Sequence, residues 1–180
     1  PITDFKIGWE EKLEEIQSMR CPMLVVNGRK TKPDPKNILM KALKRALKNL
    51  NTQHGPRGIA GLKKASKEIP EILRKNDPSV ENTLGEWAFF TFRLSEQNRK
   101  DIAKFLTHAA DELNLEKLKD AANPIIEASE YYGNLRRIFR ETLESGIQPS
   151  QIADDVEGLL ARAYEKERQC VELIEAALLT

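Results

Sequence analysis

The chain has 180 residues, of which 40% are hydrophobic and 32% charged, with a formal net charge of +1 and two cysteines. This length is enough for one ordinary domain with a sizeable core, and the cysteines provide no disulfide framework. No apolar run approaches the roughly 18 residues that a membrane span needs, so we expect that this chain is not a membrane protein. The N-terminal residues lack a signal-peptide pattern, which predicts a cytoplasmic protein, while Pro1 leaves open whether the chain is a fragment.

The charges are unevenly distributed along the sequence. Between Arg29 and Lys67 lie twelve of the 29 basic residues, but only one of the 28 acidic residues, Asp34. The rest of the chain is therefore acidic, although the net charge is close to zero. A segment of this kind indicates an anionic partner and says nothing about the fold.

The first predicted helix covers residues 4–19, whose large apolar side chains recur at helical spacing. A short β-prone run follows at residues 23–26 and ends at a turn dipeptide. The next helix is predicted over roughly residues 35–50, with Pro35 in its first turn. This helix is amphipathic, and its outer face is cationic.

A helix over 58–68 follows, and we expect Pro70 to end or kink it. Ser79 and Ser95 are candidate N-caps of two further helices, the second of which ends near residue 113. Both helices carry an apolar stripe with a period of 3.6 residues.

The apolar stripe continues over residues 115–145, and Pro124 interrupts it. Either one kinked helix or two stacked helices would satisfy this pattern. Gly146 is a natural stop, and a last long helix is expected after Pro149.

Together these elements predict an all-α fold, a single bundle of about six helices in which the last two are long and antiparallel. We expect the whole chain, residues 1–180, to form one domain. The N-terminal helix and the short extended segment would occupy residues 1–34. There is no internal repeat, no low-complexity stretch and no inter-domain linker.

Cys21 with His54 is the one pair that suggests a cysteine nucleophile. A papain-type nucleophile begins a helix, which lowers its pKa, whereas Pro22 and a β-prone run follow Cys21. A partly buried thiol is the better interpretation. Cys170 lies on the apolar face of the last helix, where we expect a small buried hydrophobe. The sequence therefore predicts no catalytic residue in this chain.

Metal and cofactor sites are not predicted either. His108 and Glu112 are one helical turn apart, but a dimetal bundle needs Glu-x-x-His motifs on two helices together with further carboxylates. Walker, Rossmann and nucleophile-elbow motifs are absent. The glycines at 55, 58 and 61 resemble a phosphate loop only superficially, because the Lys-Ser/Thr ending is missing.

The basic segment is the strongest candidate binding site. Four cations recur at i, i+3, i+4 and i+7 of one predicted helix: Lys41, Lys44, Arg45 and Lys48. A second group follows in the sequence: Arg57, Lys63, Lys64 and Lys67. If both helices face the same way, they form a strongly positive surface. The alternative is a solvated, Lys-rich face that binds nothing.

An acidic protein fits this segment better than nucleic acid does. No aromatic residue lies between Arg29 and Lys67 to stack on bases. No helix-turn-helix, zinc-finger or RNA-recognition signature is present. The sequence therefore disfavours a nucleic-acid partner.

Three stretches carry a resemblance to a known family. They are residues 58–69 (GIAGLKKASKEI), residues 98–106 (NRKDIAKFL) with an alanine pair at 109–110, and Glu165-x-Glu167 in the closing helix. In this order they resemble the helical C-terminal domain of the butirosin biosynthesis protein H-like family, over roughly residues 35–180. At 94–98 the sequence LSEQN replaces the Gly-rich run and Phe usual in that family.

This resemblance implies a two-part protein, in which a papain-like N-terminal half transfers an acyl or aminoacyl group from an acidic carrier protein to an amine. The present chain resembles the other half, which would close over the substrate cleft, hold the carrier protein or build a homodimer. Arg99 is the one position carried over, as an anion or carboxylate contact, and an interhelical ion pair is its alternative.

The sequence thus predicts a non-catalytic helical accessory domain that contacts an acidic partner through a basic helical face. A free-standing helical interaction module or nucleic-acid-associated protein is the alternative.

Overall fold

The computed structural model describes residues 34–51, 58–75 and 80–179, apart from the side chains at 81 and 82. Every regular element in these ranges is helical, which confirms the all-α class. The predicted helix at 4–19 and the β-prone run at 23–26 lie outside the described residues. The organisation of residues 1–180 as one domain therefore stays a prediction.

The α-helices are, in chain order, α1 (Pro35–Leu50), α2 (Gly58–Arg74), α3 (Val80–Glu86), α4 (Phe92–Leu113), α5 (Lys117–Ser145) and α6 (Ala153–Leu178). A π-helical turn, Trp87–Thr91, joins α3 to α4, and a 3₁₀ turn, Pro149–Ile152, precedes α6. Because α3, the π turn and α4 are continuous, the described residues form five separate helices and not about six.

The helix boundary predicted at Ser95 is wrong. Ser95 lies inside α4, and the backbone stays helical through Glu86, Thr91 and Phe92 at both junctions of the π turn. No glycine or proline interrupts the backbone hydrogen bonds at Ser95, so its capping ability is not used. The π turn adds one residue to the helical turn, and both Ala88 and Phe92 remain buried.

Neither proline inside a helix ends it. Pro70 lies within α2, which continues to Arg74, so the predicted end near residue 68 is wrong, whereas the alternative of a kink at Pro70 stays a prediction. Pro124 lies within α5, and the stripe at 115–145 is thus one helix, as one of the two alternatives proposed. Each proline removes a helical hydrogen bond at a cost of about 3 kcal/mol. Both prolines are buried, and packing of their rings offsets part of that cost.

Helix α5 is the centre of the bundle. It packs along α4 and along α6, and α2 packs mainly on α6. Since a short connection joins α5 to α6 and they pack along their length, the two helices run antiparallel. Gly146 ends α5 at φ 64°, the left-handed conformation that favours glycine.

Among the described helices, none has the length and apolar character that would let it cross a membrane.

Helices α1 and α2 meet at a close corner. Asp34 caps α1 by accepting a hydrogen bond from the Lys36 amide at 3.2 Å, and Pro35 follows it directly. Gly58 begins α2 at φ 62°, and a Cβ on it would lie 2.5 Å from the carbonyl oxygen of Leu50. The start of α2 therefore lies against the end of α1, which makes the two basic helices neighbours.

Candidate functional site

The outer face of α1 carries the first predicted group of cations. All four are exposed: Lys41, Lys44, Arg45 and Lys48. The opposite face anchors the helix, with Leu43 fully buried and Leu47 packed against the core. No acidic residue occurs between Pro35 and Leu50. We call the surface formed by these four cations the α1 cationic face.

The second group lies on α2. Lys63, Lys64 and Lys67 are exposed, and Lys64 approaches Glu68 at 3.5 Å. Arg57 lies outside the described residues. The contact of Gly58 with Leu50 places both groups on adjacent helices, whereas a single shared surface stays a prediction.

Three cations of the α1 cationic face lack an ion pair in the described ranges. Within the described ranges, Lys41, Lys44 and Arg45 have no carboxylate within ion-pair distance. Several cations elsewhere are paired: Arg74 with Asp154 and Glu157, Lys119 with Asp111 and Glu116, Lys166 with Glu127, and Arg168 with Glu165 and Glu172. The hydrogen bonds that Lys119 and Lys166 donate to these carboxylates raise the pKa of both lysines. Within the described ranges, Lys41, Lys44 and Arg45 therefore have no carboxylate partner that an incoming anion would displace.

Arg99 forms the interhelical ion pair that was its alternative role. Its Nε donates to Glu167 Oε1 at 2.8 Å and its Nη2 to Oε2 at 3.1 Å. The Tyr132 hydroxyl donates to the same Oε1 at 2.5 Å. These side chains come from α4, α5 and α6, so one carboxylate, 1% exposed, connects three helices. The guanidinium also lies over the Tyr132 ring, 5.0 Å from its centroid.

Burial and the charge of Glu167 set the protonation states around this cluster. Burial, reinforced by Glu167, raises the pKa of Tyr132 well above its usual 10. Burial, the largest single effect, would lower the pKa of Arg99, but attraction to Glu167 and Tyr132 and the hydrogen bonds to them together outweigh it, and the pKa is raised. Burial and then Glu167 raise the pKa of the Cys170 thiol to about 12. At neutral pH the cluster is a satisfied ion pair, and Cys170 is a buried, protonated thiol, as its position on the apolar stripe predicted.

A groove beside the π turn was not anticipated from the sequence. Its volume is about 690 Å³, and four arginines line it: Arg93 from α4, with Arg136, Arg137 and Arg140 from α5. Phe89 of the π turn lines it too, although 61% of that residue is exposed. The sequence signal was present, because three arginines lie within five residues and two of them share a helical face. We call this feature the arginine groove.

Catalytic and metal candidates give no assembled site in the described ranges. Cys21 and His54 both lie outside these ranges, so the interpretation of Cys21 as a partly buried thiol stays a prediction. His108 and Glu112 are exposed on α4. No group of three His, Cys, Asp or Glu side chains in these ranges could hold a metal ion.

Comparison of the chain with models of known protein families, with curated proteins and with solved structures gave no match. The function must therefore be inferred from the surfaces of the molecule and from the resemblance in its sequence.

Proposed function

We propose that this chain is a non-catalytic helical binding domain that holds an acidic protein against the α1 cationic face. The observation that carries the proposal is the pairing pattern. Lys41, Lys44 and Arg45 are exposed and lack a carboxylate partner within the described residues. An incoming carboxylate therefore displaces no internal partner, and complementary charge accelerates and orients the encounter.

The dimensions of the α1 cationic face suit a protein surface. From Lys41 to Lys48 the cations extend about 10 Å along the helix axis, two helical turns. An acidic helix with carboxylates three or four residues apart would match this spacing. In contrast, α1 and α2 offer no aromatic side chain on which a base could stack.

The resemblance to the butirosin biosynthesis protein H-like family suggests which acidic protein this is. In that family the acidic partner is a carrier protein, and the acyl transfer belongs to a papain-like half. We therefore propose a carrier protein as the partner of the α1 cationic face. The domain would contribute binding and orientation, and the chemistry would belong to the other half.

The test is a calorimetric titration of the full chain with an acyl carrier protein, carried out once at low salt and once at high salt. The variant replaces Lys41, Lys44 and Arg45 by Gln, which removes three charges without shortening the helix. Because three charges complementary to the partner are lost, we expect the variant to bind at least about tenfold more weakly. A tenfold change corresponds to about 1.4 kcal/mol of binding free energy. High salt should weaken binding of the unmodified chain, because screening shortens the range of these charges.

The matched control removes three charges elsewhere, by replacing Lys104, Lys117 and Arg162 with Gln. These residues are exposed on α4, α5 and α6. The control should bind the carrier protein like the unmodified chain. Equal losses in both variants would show a general charge effect and contradict the proposal. Tighter, salt-sensitive binding of random DNA than of the carrier protein would support the nucleic-acid alternative instead.

A further inference from the structure

We propose that the arginine groove binds a small phosphorylated ligand with a flat ring, of the nucleoside phosphate class. The groove lies between the π turn with the start of α4 on one side and α5 on the other. It is built from helices other than those that carry the α1 cationic face. The inference is thus independent of the proposed acidic protein partner.

The charge of the groove is complementary to phosphate. Four guanidinium groups line it, opposed by one carboxylate, that of Glu130. A guanidinium is planar and offers several donors, so it binds phosphate oxygens in pairs. A cluster of four such groups matches a ligand that carries more than one negative charge.

These guanidinium groups are only loosely engaged within the described chain. Arg140 Nε lies 3.6 Å from Glu144 Oε1, and Arg137 Nη2 lies 3.4 Å from Asn134 Oδ1. Both distances exceed the usual length of a charge-assisted hydrogen bond. Arg93 has no carboxylate within ion-pair distance among the described residues. A bound phosphate would therefore replace weak contacts with short ones.

A mostly buried carboxylate lies near one of the arginines. The side chain of Glu96, 16% exposed, approaches Arg136 at 3.5 Å and Lys100 at 2.6 Å. Gly133 leaves room for it, because a Cβ at that position would meet Glu96 Cδ at 3.4 Å. Glu96 thus places a negative charge near Arg136 at the wall of the groove, in a contact as loose as those of Arg137 and Arg140.

The π turn supplies the surface for a ring. Phe89 lines the groove and is 61% exposed, next to Phe90 at 67%. Two phenyl rings exposed to water do not gain the hydrophobic stabilisation that burial would give. In addition, π turns occur frequently at functional sites. A flat ring that stacks on Phe89 would recover this stabilisation.

The volume sets the size of the ligand. At about 690 Å³ the groove falls within the 300–1,000 Å³ that is usual for small-molecule sites. A lone phosphate would leave most of this space empty. A nucleoside phosphate would fill it, with negative charge for the arginines and a flat ring for Phe89. The chain has no glycine-rich phosphate loop, so the arginine side chains themselves would hold the phosphates.

The experiment is calorimetric titration of the full chain with ATP and, separately, with inorganic tripolyphosphate. Replacing Arg137 and Arg140 by Gln should weaken binding of both probes at least about tenfold. Replacing Phe89 by Ala should weaken ATP binding about fivefold or more, since stacking on a base contributes about 1–3 kcal/mol. The same change should leave tripolyphosphate binding unaltered.

The matched control replaces Lys41 and Lys44 by Gln, which removes the same charge from the α1 cationic face. We expect it to bind ATP like the unmodified chain, with circular dichroism showing that all variants fold. Absence of ATP binding at millimolar concentration would overturn the proposal. Equal losses in the control, or binding of ATP that is insensitive to the groove variants, would overturn it too.

Discussion

Glu167 is the residue on which the packing of three helices converges. Its carboxylate accepts hydrogen bonds from Arg99 and Tyr132 and is almost completely buried. A buried carboxylate of this kind is tolerated only because its partners are in place. Its role is therefore structural, and Arg99, whose donors are engaged, does not serve the α1 cationic face.

Replacing Glu167 by Gln should destabilise the fold by about 3 kcal/mol, because Arg99 would remain largely buried without a counter-charge. Urea denaturation followed by circular dichroism measures this change. Glu172→Gln is the control, since Glu172 is exposed and pairs with Arg168 at the surface. The control should cost no more than about 1 kcal/mol. Equal costs for the two variants would show that the buried cluster is not special.

The buried thiol of Cys170 should make the free energy of unfolding depend on pH. Burial raises its pKa from 9.0 to about 12 in the folded chain. Between these values the unfolded chain loses a proton that the folded chain keeps, so the free energy of unfolding falls as pH rises above about 9. The contribution is at most about 1.4 kcal/mol per pH unit. Denaturation between pH 8 and 10.5 should therefore show a shallower decline for Cys170→Ala than for the unmodified chain. Parallel curves would contradict burial of this thiol.

At the scale of elements, the corner between α1 and α2 depends on Gly58. Its positive φ and its contact with the Leu50 carbonyl leave no room for a side chain. Gly58→Ala should lower the free energy of unfolding by at least about 1–2 kcal/mol, which thermal or urea denaturation would measure.

Gly85 offers the matched control for this prediction. It lies inside α3, and a Cβ there would meet nothing within 4 Å. Gly85→Ala should therefore stabilise the chain, by about 0.5–1 kcal/mol. A stabilising effect of both substitutions would show that the corner is not as close as the structure has it.

Hydrophobic periodicity predicted α1, α5 and α6, because an amphipathic stripe of several turns admits few alternatives. It failed where local signals conflict with packing. The capping residue Ser95 and the helix-breaking Pro70 both lie inside continuous helices. In each case burial of the surrounding apolar surface outweighs a local preference of a few kcal/mol, and a single sequence does not show that burial.

The candidate sites also differ in how far the sequence predicted them. The α1 cationic face was predictable, since its spacing and its lack of acidic neighbours are local properties of the sequence. An interhelical ion pair of Arg99 was one of two alternatives, but its partner Glu167 was not predicted, because residues 68 positions apart meet only in the folded chain. The arginine groove was missed, as it requires the π turn and α5 to lie side by side.

On the scale of the whole molecule, charge is arranged in two regions. The cations of α4, α5 and α6 largely pair with carboxylates of the same bundle, whereas three of the four that form the α1 cationic face have no such partner in the described ranges. A bundle whose described cations are mostly paired, and which presents Lys41, Lys44 and Arg45 without a carboxylate partner in the described ranges, is suited to hold an anionic partner in one orientation.

The position of the partner is the central claim, and amide NMR of the isotope-labelled chain tests it most directly. Spectra would be recorded with and without an acyl carrier protein at low salt. We predict that amide shifts change within residues 41–48 and that those of α5 stay in place. Binding that leaves 41–48 unperturbed, or that perturbs the arginine groove at residues 136–140 instead, would contradict the proposed function.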